Sequence, residues 1–297
     1  MAHNTNGWVM DLEAVDYVES EVGVFGSAVS FLSGSGRDKI VVLSDNYKKA
    51  GMSVPNVSQG SIGSCVAAAA SKCVDYLKIT EIVNGDREQF VNITAIEPIY
   101  YGARVVIGKN RIRGEGAIVA HAVKYISEYG TIARGKYGNI DLSTYSVDRC
   151  RKYGQGKGFP KTIEDISKSY LVSQYTRVKS WEEYRDSVAN GFPVIVGSKY
   201  GYSNETDNEG FCRQNTSWNH CMSGIGVDDN SNRKGGLIDN SWGPSWLKIR
   251  KRKLGQPDGS FWADADNIDK MMRNGDAWSL SQFQGYRKKD IDTSVSW

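Results

Sequence analysis

Several features are missing from this sequence, and each absence removes a class of protein. No apolar run approaches the length that spans a bilayer, so no membrane partner is expected. The first twenty residues, MAHNTNGWVMDLEAVDYVES, have no basic stretch leading into an apolar core, which argues against a secretory leader. The five cysteines (Cys65, Cys73, Cys150, Cys212, Cys221) are irregularly spaced and form neither a paired disulfide framework nor a CxxC zinc pattern. Reduced thiols and a cytoplasmic setting are therefore expected. No ligand spacing suits calcium or zinc, and no cofactor is expected. A net charge of +3 is too small to imply a nucleic-acid partner. There is no internal repeat and no low-complexity tract.

What is present is an ordinary globular composition, 40% hydrophobic and 24% charged, enough for one large domain or two. The stretch Ser58 to Gly85, SQGSIGSCVAAAASKCVDYLKITEIVNG, organises the rest. Val66 to Ile82 is Ala-rich and free of Gly and Pro, which predicts a helix. Gly60, Gly63 and Ser64 supply the turn and cap, and Asn84-Gly85 supply the stop. Cys65 then falls in the first turn, where unpaired N–H groups and the positive end of the helix dipole favour a thiolate.

Residues 1–50 mix short apolar runs (Val22 to Gly26, Lys39 to Leu43) with Gly/Ser turns, and read as an extended arm with one or two strands. Such an arm packs on the domain surface, blocks a site or docks into a larger assembly. Thr94 to Gly108 and Ala117 to Tyr129 read as amphipathic helices, the second carrying His121 as a packing or surface histidine. Residues 131–175 read as a long irregular connection whose basic, Tyr-bearing loops suit solvent. From Ser180 a short helix precedes strands at Pro193 to Gly197, Met222 to Val227, Gly235 to Ser241 and Trp246 to Ile249. The basic run Lys248 to Lys253 continues the last of these, as a solvated strand face. The first half is helix-rich and the second β-rich, an α+β chain.

A cysteine nucleophile needs a base and, for acyl transfer, an oxyanion donor. Gln59 lies six positions before Cys65, His220 lies 155 after it, and Asn240 follows 20 further on, leading into Ser241-Trp242-Gly243. In this order the residues resemble the papain-like cysteine peptidases, with a microbial or phage-type look. Gln59-Gly60-Ser61-Ile62-Gly63-Ser64-Cys65 is similar to that family's Gln-Gly-x-x-Gly-Ser-Cys segment, and Asn219-His220 to its Asn-His motif. Asn240-Ser241-Trp242-Gly243-Pro244-Ser245-Trp246 is similar to its most specific motif, Asn-Ser-Trp-Gly-x-x-Trp. Weaker similarity at Gly191-Phe192-Pro193-Val194, Ser260-Phe261-Trp262 and Asp276-Ala277-Trp278 extends the resemblance over about residues 50–282.

The resemblance implies a helical half (about 51–135) packed on a β-barrel-like half (about 175–282), with the site in the cleft. It leaves an N-terminal extension (1–50) and a tail (283–297) outside the domain. It implies Cys65 as nucleophile, His220 as base and then acid, Asn240 as the imidazole's orienting partner, Trp242 as that bond's cover, and Gln59 as oxyanion donor. Ile62 and Val66 replace a cysteine and an aromatic usual in secreted members, which fits a reducing compartment. Cys221, beside His220, is a packing residue or a redox-sensitive thiol, and Asp239 adds a charge that would raise the imidazole pKa. The expected activity is an intracellular endopeptidase acting on protein or peptide substrates. The alternatives are a silent or self-blocked papain-fold structural or binding protein, carried in a phage virion, and a cell-wall amidase, against which the Asn-Ser-Trp-Gly motif argues.

Overall fold

The computed structural model describes residues 6–22, 32–85 and 89–284. Residues 23–26 of the Val22 run and the tail after Gln284 lie outside these. Among the described residues the chain runs through α1 (Leu12–Ser20), β1 (Ile40–Val42), α2 (Ser44–Lys49), α3 (Cys65–Val83) and α4 (Ile96–Tyr101), which continues as a π-helical turn (Gly102–Ile107). There follow α5 (Val119–Glu128), the small ribbon β2 (Lys136–Tyr137) and β3 (Ile140–Asp141), α6 (Val147–Tyr153) and α7 (Lys161–Ser167). The second half holds β4 (Val172–Arg177), α8 (Trp181–Ala189), β5 (Val194–Thr206), β6 (Cys212–Asp228), β7 (Gly235–Asp239), β8 (Ser260–Asp264), α9 (Ala265–Asn274) and β9 (Asp276–Phe283).

Between the halves lies α3, whose residues from Cys65 to Thr80 are all buried. A helix covered all round belongs in the core. It packs on β5, β6 and β9 on one side and on α2, α4 and α5 on the other. The small side chains of Ala67 to Ala70 permit close approach of the sheet, and the Ser223 hydroxyl donates to the Ala69 carbonyl at 3.1 Å. The charges this helix buries are compensated. Lys78 meets Asp75 at 2.6 Å, and Asp75 accepts from the Thr94 backbone N–H and hydroxyl.

The main sheet is antiparallel, in the order β4-β9-β5-β6-β7-β8, with β1 also paired to β6. Its long strand β6 carries His220 and runs back to Asp228; β7 ends at Asp239, directly before Asn240. Tyr184 of α8 and Ile268, Met271 and Met272 of α9 fill the sheet's core.

Four expectations change. The arm of residues 1–50 is not extended throughout. It contains α1, capped by Asp11 accepting from the Ala14 N–H at 3.0 Å, and α2, while Ile40 to Val42 join the main sheet. The stretch 131–175 is not an irregular loop. Its helices α6 and α7 each bury only two side chains, Cys150 with Tyr153 and Ile163 with Ser167, too few to show a period in sequence. The helix over 94–108 widens at Gly102, and Arg104 in that turn is buried, donating to the carbonyls of Gly154, Gly114, Ile112 and Gly116. Trp246 to Ile249 is not a strand. Trp246 turns inward to donate to the Gly259 carbonyl at 2.7 Å, and the basic run pairs locally, Arg250 with Glu205 and Lys253 with Asp228.

Candidate active site

Four consecutive residues, from the last of β7 onward, face four different partners, because the chain leaves the sheet there. Asp239 reaches α3, accepting from Lys72 at 2.6 Å and from the Tyr76 hydroxyl at 2.9 Å. Asn240 Oδ1 lies 2.8 Å from His220 Nε2 and accepts the Ser241 backbone N–H at 2.7 Å. That second bond fixes which amide atom is the oxygen, so His220 Nε2 carries the proton and Nδ1 is the basic nitrogen. Ser241 holds Gln59 twice, through its carbonyl to the Gln59 N–H (2.8 Å) and through its hydroxyl to Gln59 Oε1 (2.6 Å). Trp242 lies over the imidazole with ring centroids 4.5 Å apart, and Trp218 and Trp246 pack around it.

Gln59 is fully buried; its Nε2 donates to the Ile62 carbonyl at 3.1 Å, which leaves its second N–H for another acceptor. The cap residue of α3, Ser64, makes no capping bond to the helix; its hydroxyl pairs with that of Tyr145, which donates to the Gln59 carbonyl. The first-turn N–H groups beside Cys65 are thus not taken by the Ser64 side chain. The Cys65 sulfur lies against the β6 backbone at Cys221, the residue after His220.

Cys65 is covered. Residues 6–9 cross the cleft, with Gly7 and Trp8 N–H groups both donating to the Asn219 carbonyl at 2.9 Å on the sheet side. On the helical side Val9 N–H donates to the Ala117 carbonyl, and Ala117 N–H to the Gly7 carbonyl, each at 3.0 Å. Gly7 lies on the thiol: a Cβ there would sit 2.7 Å from Cys65 Sγ. The Trp8 indole is buried against Gly197 of β5, where any Cβ would collide with it. Beyond Val9, on the helical side, lies an open groove of about 860 Å³ bordered by Tyr17, Arg111, His121 and Lys124.

Covering reverses the thiolate expectation. Burial pushes the Cys65 thiol up to about 12, against an ordinary 9.0, and the backbone N–H groups of Cys221, Val66, Cys65 and Gly7 offset this only in part. Asp239 does not act as a loose charge near the imidazole, because Lys72 compensates it. Cys221 is wholly buried and packs in the helical core. All five cysteines are free thiols. Among the described residues no group of three His, Cys, Asp or Glu is placed to hold a metal, and no helix is long and apolar enough to cross a membrane.

The structure brings Gln59, Cys65, His220, Asn240 and Trp242 to one cleft. Sequence reasoning passed over Lys72 and Tyr76, although their spacing of seven and eleven from Cys65 puts all three on one stripe of a helix. It also passed over Trp218, two residues before His220, and gave no special place to Gly7 and Trp8.

A helical half packed through α3 on an antiparallel sheet is the fold of the papain-like cysteine proteases, as comparison with solved structures shows. Xylellain, a cysteine protease from Xylella fastidiosa, superposes with a TM-score of 0.61 at 18% identity, over 95% of this chain and 98% of its own. The Amb a 11 cysteine protease of ragweed pollen in its proform gives 0.54 at 18%, over 94% and 74%. Digestive procathepsin L 3 of Tenebrio molitor larval midgut gives 0.53 at 16%, over 94% and 83%. No curated protein sequence matches the chain. Residues 52–254 match the Peptidase_C39-like family, and the chain belongs to it. By family it is a cysteine peptidase, and its fold is papain-like.

Proposed function

We propose that the chain is a latent endopeptidase that cleaves peptide bonds through Cys65, His220, Asn240 and Gln59, and that residues 6–9 hold it closed. The observation that carries this is the bond from His220 Nε2 to Asn240 Oδ1, which leaves Nδ1 as the base on the strand that packs against Cys65. Once the cleft opens, water reaches the thiol and its proton passes to His220 Nδ1, forming the reactive ion pair. The sulfur attacks the substrate carbonyl, and Gln59 Nε2 with the Cys65 N–H stabilise the oxyanion. The imidazolium gives its proton to the leaving amine as the C–N bond breaks, leaving a thioester. Water then attacks that thioester, His220 takes its proton, and the C–S bond breaks to release the acid. Trp242 shields the His220–Asn240 bond from water throughout.

The test is labelling with a thiol-directed electrophilic peptide at pH 6–7, on wild type, Trp8→Ala, Cys65→Ala and His220→Ala. Labelling confined to Cys65, lost in His220→Ala and faster in Trp8→Ala than in wild type, is expected. No labelling of Cys65 in either wild type or Trp8→Ala, or labelling indifferent to His220, would overturn the reading. Turnover of peptidoglycan fragments without peptide cleavage would replace it with an amidase.

A further inference from the structure

Helix α3 carries Cys65 at its first residue and, seven residues on, a lysine that the chemistry above does not use. Lys72 is about as buried as a lysine can be, its side chain 6% exposed. Its ammonium donates to Asp239 Oδ1 at 2.6 Å and to the backbone carbonyl of Asn240 at 2.8 Å. Tyr76, one turn further along the same stripe, takes the other oxygen of Asp239. Burying a lysine costs several kcal/mol before its partners are counted, and an apolar residue would fill this position at less cost. The second bond distinguishes this arrangement from a simple ion pair. It grips the main chain of the one residue whose side chain orients His220.

We propose that Lys72 is a positioning residue for this site: it fixes the Asn240 carbonyl so that Asn240 Oδ1 stays in line with His220 Nε2. The inference rests on the peptidase reading for its kinetic consequence, though not for its geometry. The Asn240 amide has its own backbone neighbour, Ser241 N–H, on the same oxygen, so its orientation follows the backbone of residues 240 and 241. That backbone is held at two points, by Lys72 at the Asn240 carbonyl and by Gln59 at the Ser241 carbonyl. Because Lys72 and Cys65 share one rigid helix, the thiol and the imidazole's support keep one frame of reference. Losing such outer support elsewhere costs about 10- to 100-fold in activity.

The experiment uses the full chain labelled with ¹⁵N-histidine, as wild type, Lys72→Met, Lys72→Arg, Asn240→Ala and Lys72→Met/Asn240→Ala. The bonded His220 Nε2–H resonance is read by NMR, and the rate and affinity of the electrophilic peptide are measured separately. In Lys72→Met the imidazole resonance should shift or broaden, and the maximal labelling rate should fall about 10- to 100-fold with the probe's affinity unchanged. Lys72→Arg should restore part of the rate. The double variant should be no slower than Asn240→Ala alone, because both changes act through one bond. A wild-type resonance and rate in Lys72→Met, or losses that multiply in the double variant, would overturn the proposal. If Lys72→Met fails to fold with Asp239 left unpaired, Lys72→Met/Asp239→Asn removes both charges and gives the same readings. Absence of labelling in wild type and in Trp8→Ala would defeat the peptidase reading, while the NMR arm would still decide the role of Lys72.

Discussion

Gly197 and Trp8 are a pair in which one residue lacks a side chain so that the other can bury a large one. The indole lies where a β-carbon on Gly197 would be, and its burial is the largest apolar contribution among residues 6–9. Truncating a buried Trp to Ala costs about 3–5 kcal/mol. At about 1.4 kcal/mol per factor of ten, Trp8→Ala is expected to raise the open fraction, and the labelling rate of Cys65, by about 100-fold or more. Gly197→Ala should also speed labelling, since its methyl would expel the indole; an unchanged rate in both variants would mean that the segment is held elsewhere. Proton linkage gives a second prediction for the same cover. Burial pushes the covered thiol up to about 12, whereas in the open site transfer of its proton to His220 holds it below its ordinary 9.0, so the closed form is most stable below the open site's pKa and loses stability as pH rises from there toward 12. Wild-type labelling should keep climbing past pH 9, where an ordinary exposed thiol levels off, whereas Trp8→Ala should level off at lower pH. A plateau at pH 9 in wild type would show that Cys65 is already open to solvent.

Among the elements, α3 was the most legible in sequence because it is punctuated at both ends, Ser64 before it and Asn84-Gly85 after it, and its run lacks Gly and Pro. The apolar runs starting at Val194, Met222 and Gly235 were legible for a related reason, but the polar continuation of β5 to Thr206 and the polar start of β6 from Cys212 were not, since they carry no apolar alternation. The Asn240-Ser241-Trp242 corner and Gln59 could be placed in one site only through the order of motifs along the chain, since nothing local shows that they meet. Lys72 was hidden because a lysine in a helix ordinarily faces water, and its partner lies 167 residues away. The π-helical turn after α4 was hidden too, because no residue pattern distinguishes it from an α-helix, and the close approach at its first residue is to a neighbour in space. Gly102 sits where any β-carbon would meet the buried Tyr125 ring, which itself stacks on Tyr129 at 5.4 Å. Gly102→Ala should therefore overpack the α4–α5 contact and lower stability by about 1–3 kcal/mol, measured as a shift in the denaturant midpoint at constant m-value. An unchanged midpoint would show that the ring moves aside freely.

Across the whole molecule, residues 6–22 bond to both of the halves that line the cleft. Gly7 and Trp8 are bonded to the sheet half at Asn219 and Val9 to the helical half at Ala117, while α1 packs on α5 through Val15 and Val18. Two ion pairs add to this, Lys124 with Glu21 at 2.5 Å and Lys179 with Glu19. Magnitude decides which set of contacts keeps the cleft closed. Partly exposed ion pairs contribute about 0.2–1 kcal/mol each and are screened by salt, so both together amount to at most about 2 kcal/mol. The buried Trp8, Val15 and Val18 side chains contribute about 1.5–3 kcal/mol each or more, and salt does not weaken them. Raising sodium chloride from 0.05 to 1 M should then speed Cys65 labelling only several-fold, well short of the effect of Trp8→Ala, and Val15→Ala/Val18→Ala should exceed the salt effect. If salt alone opened the cleft as far as Trp8→Ala does, the segment would be an electrostatic latch. A latch of that kind would respond to the ionic strength of a compartment, whereas an apolar plug answers only to something that competes for the Trp8 pocket or removes the segment.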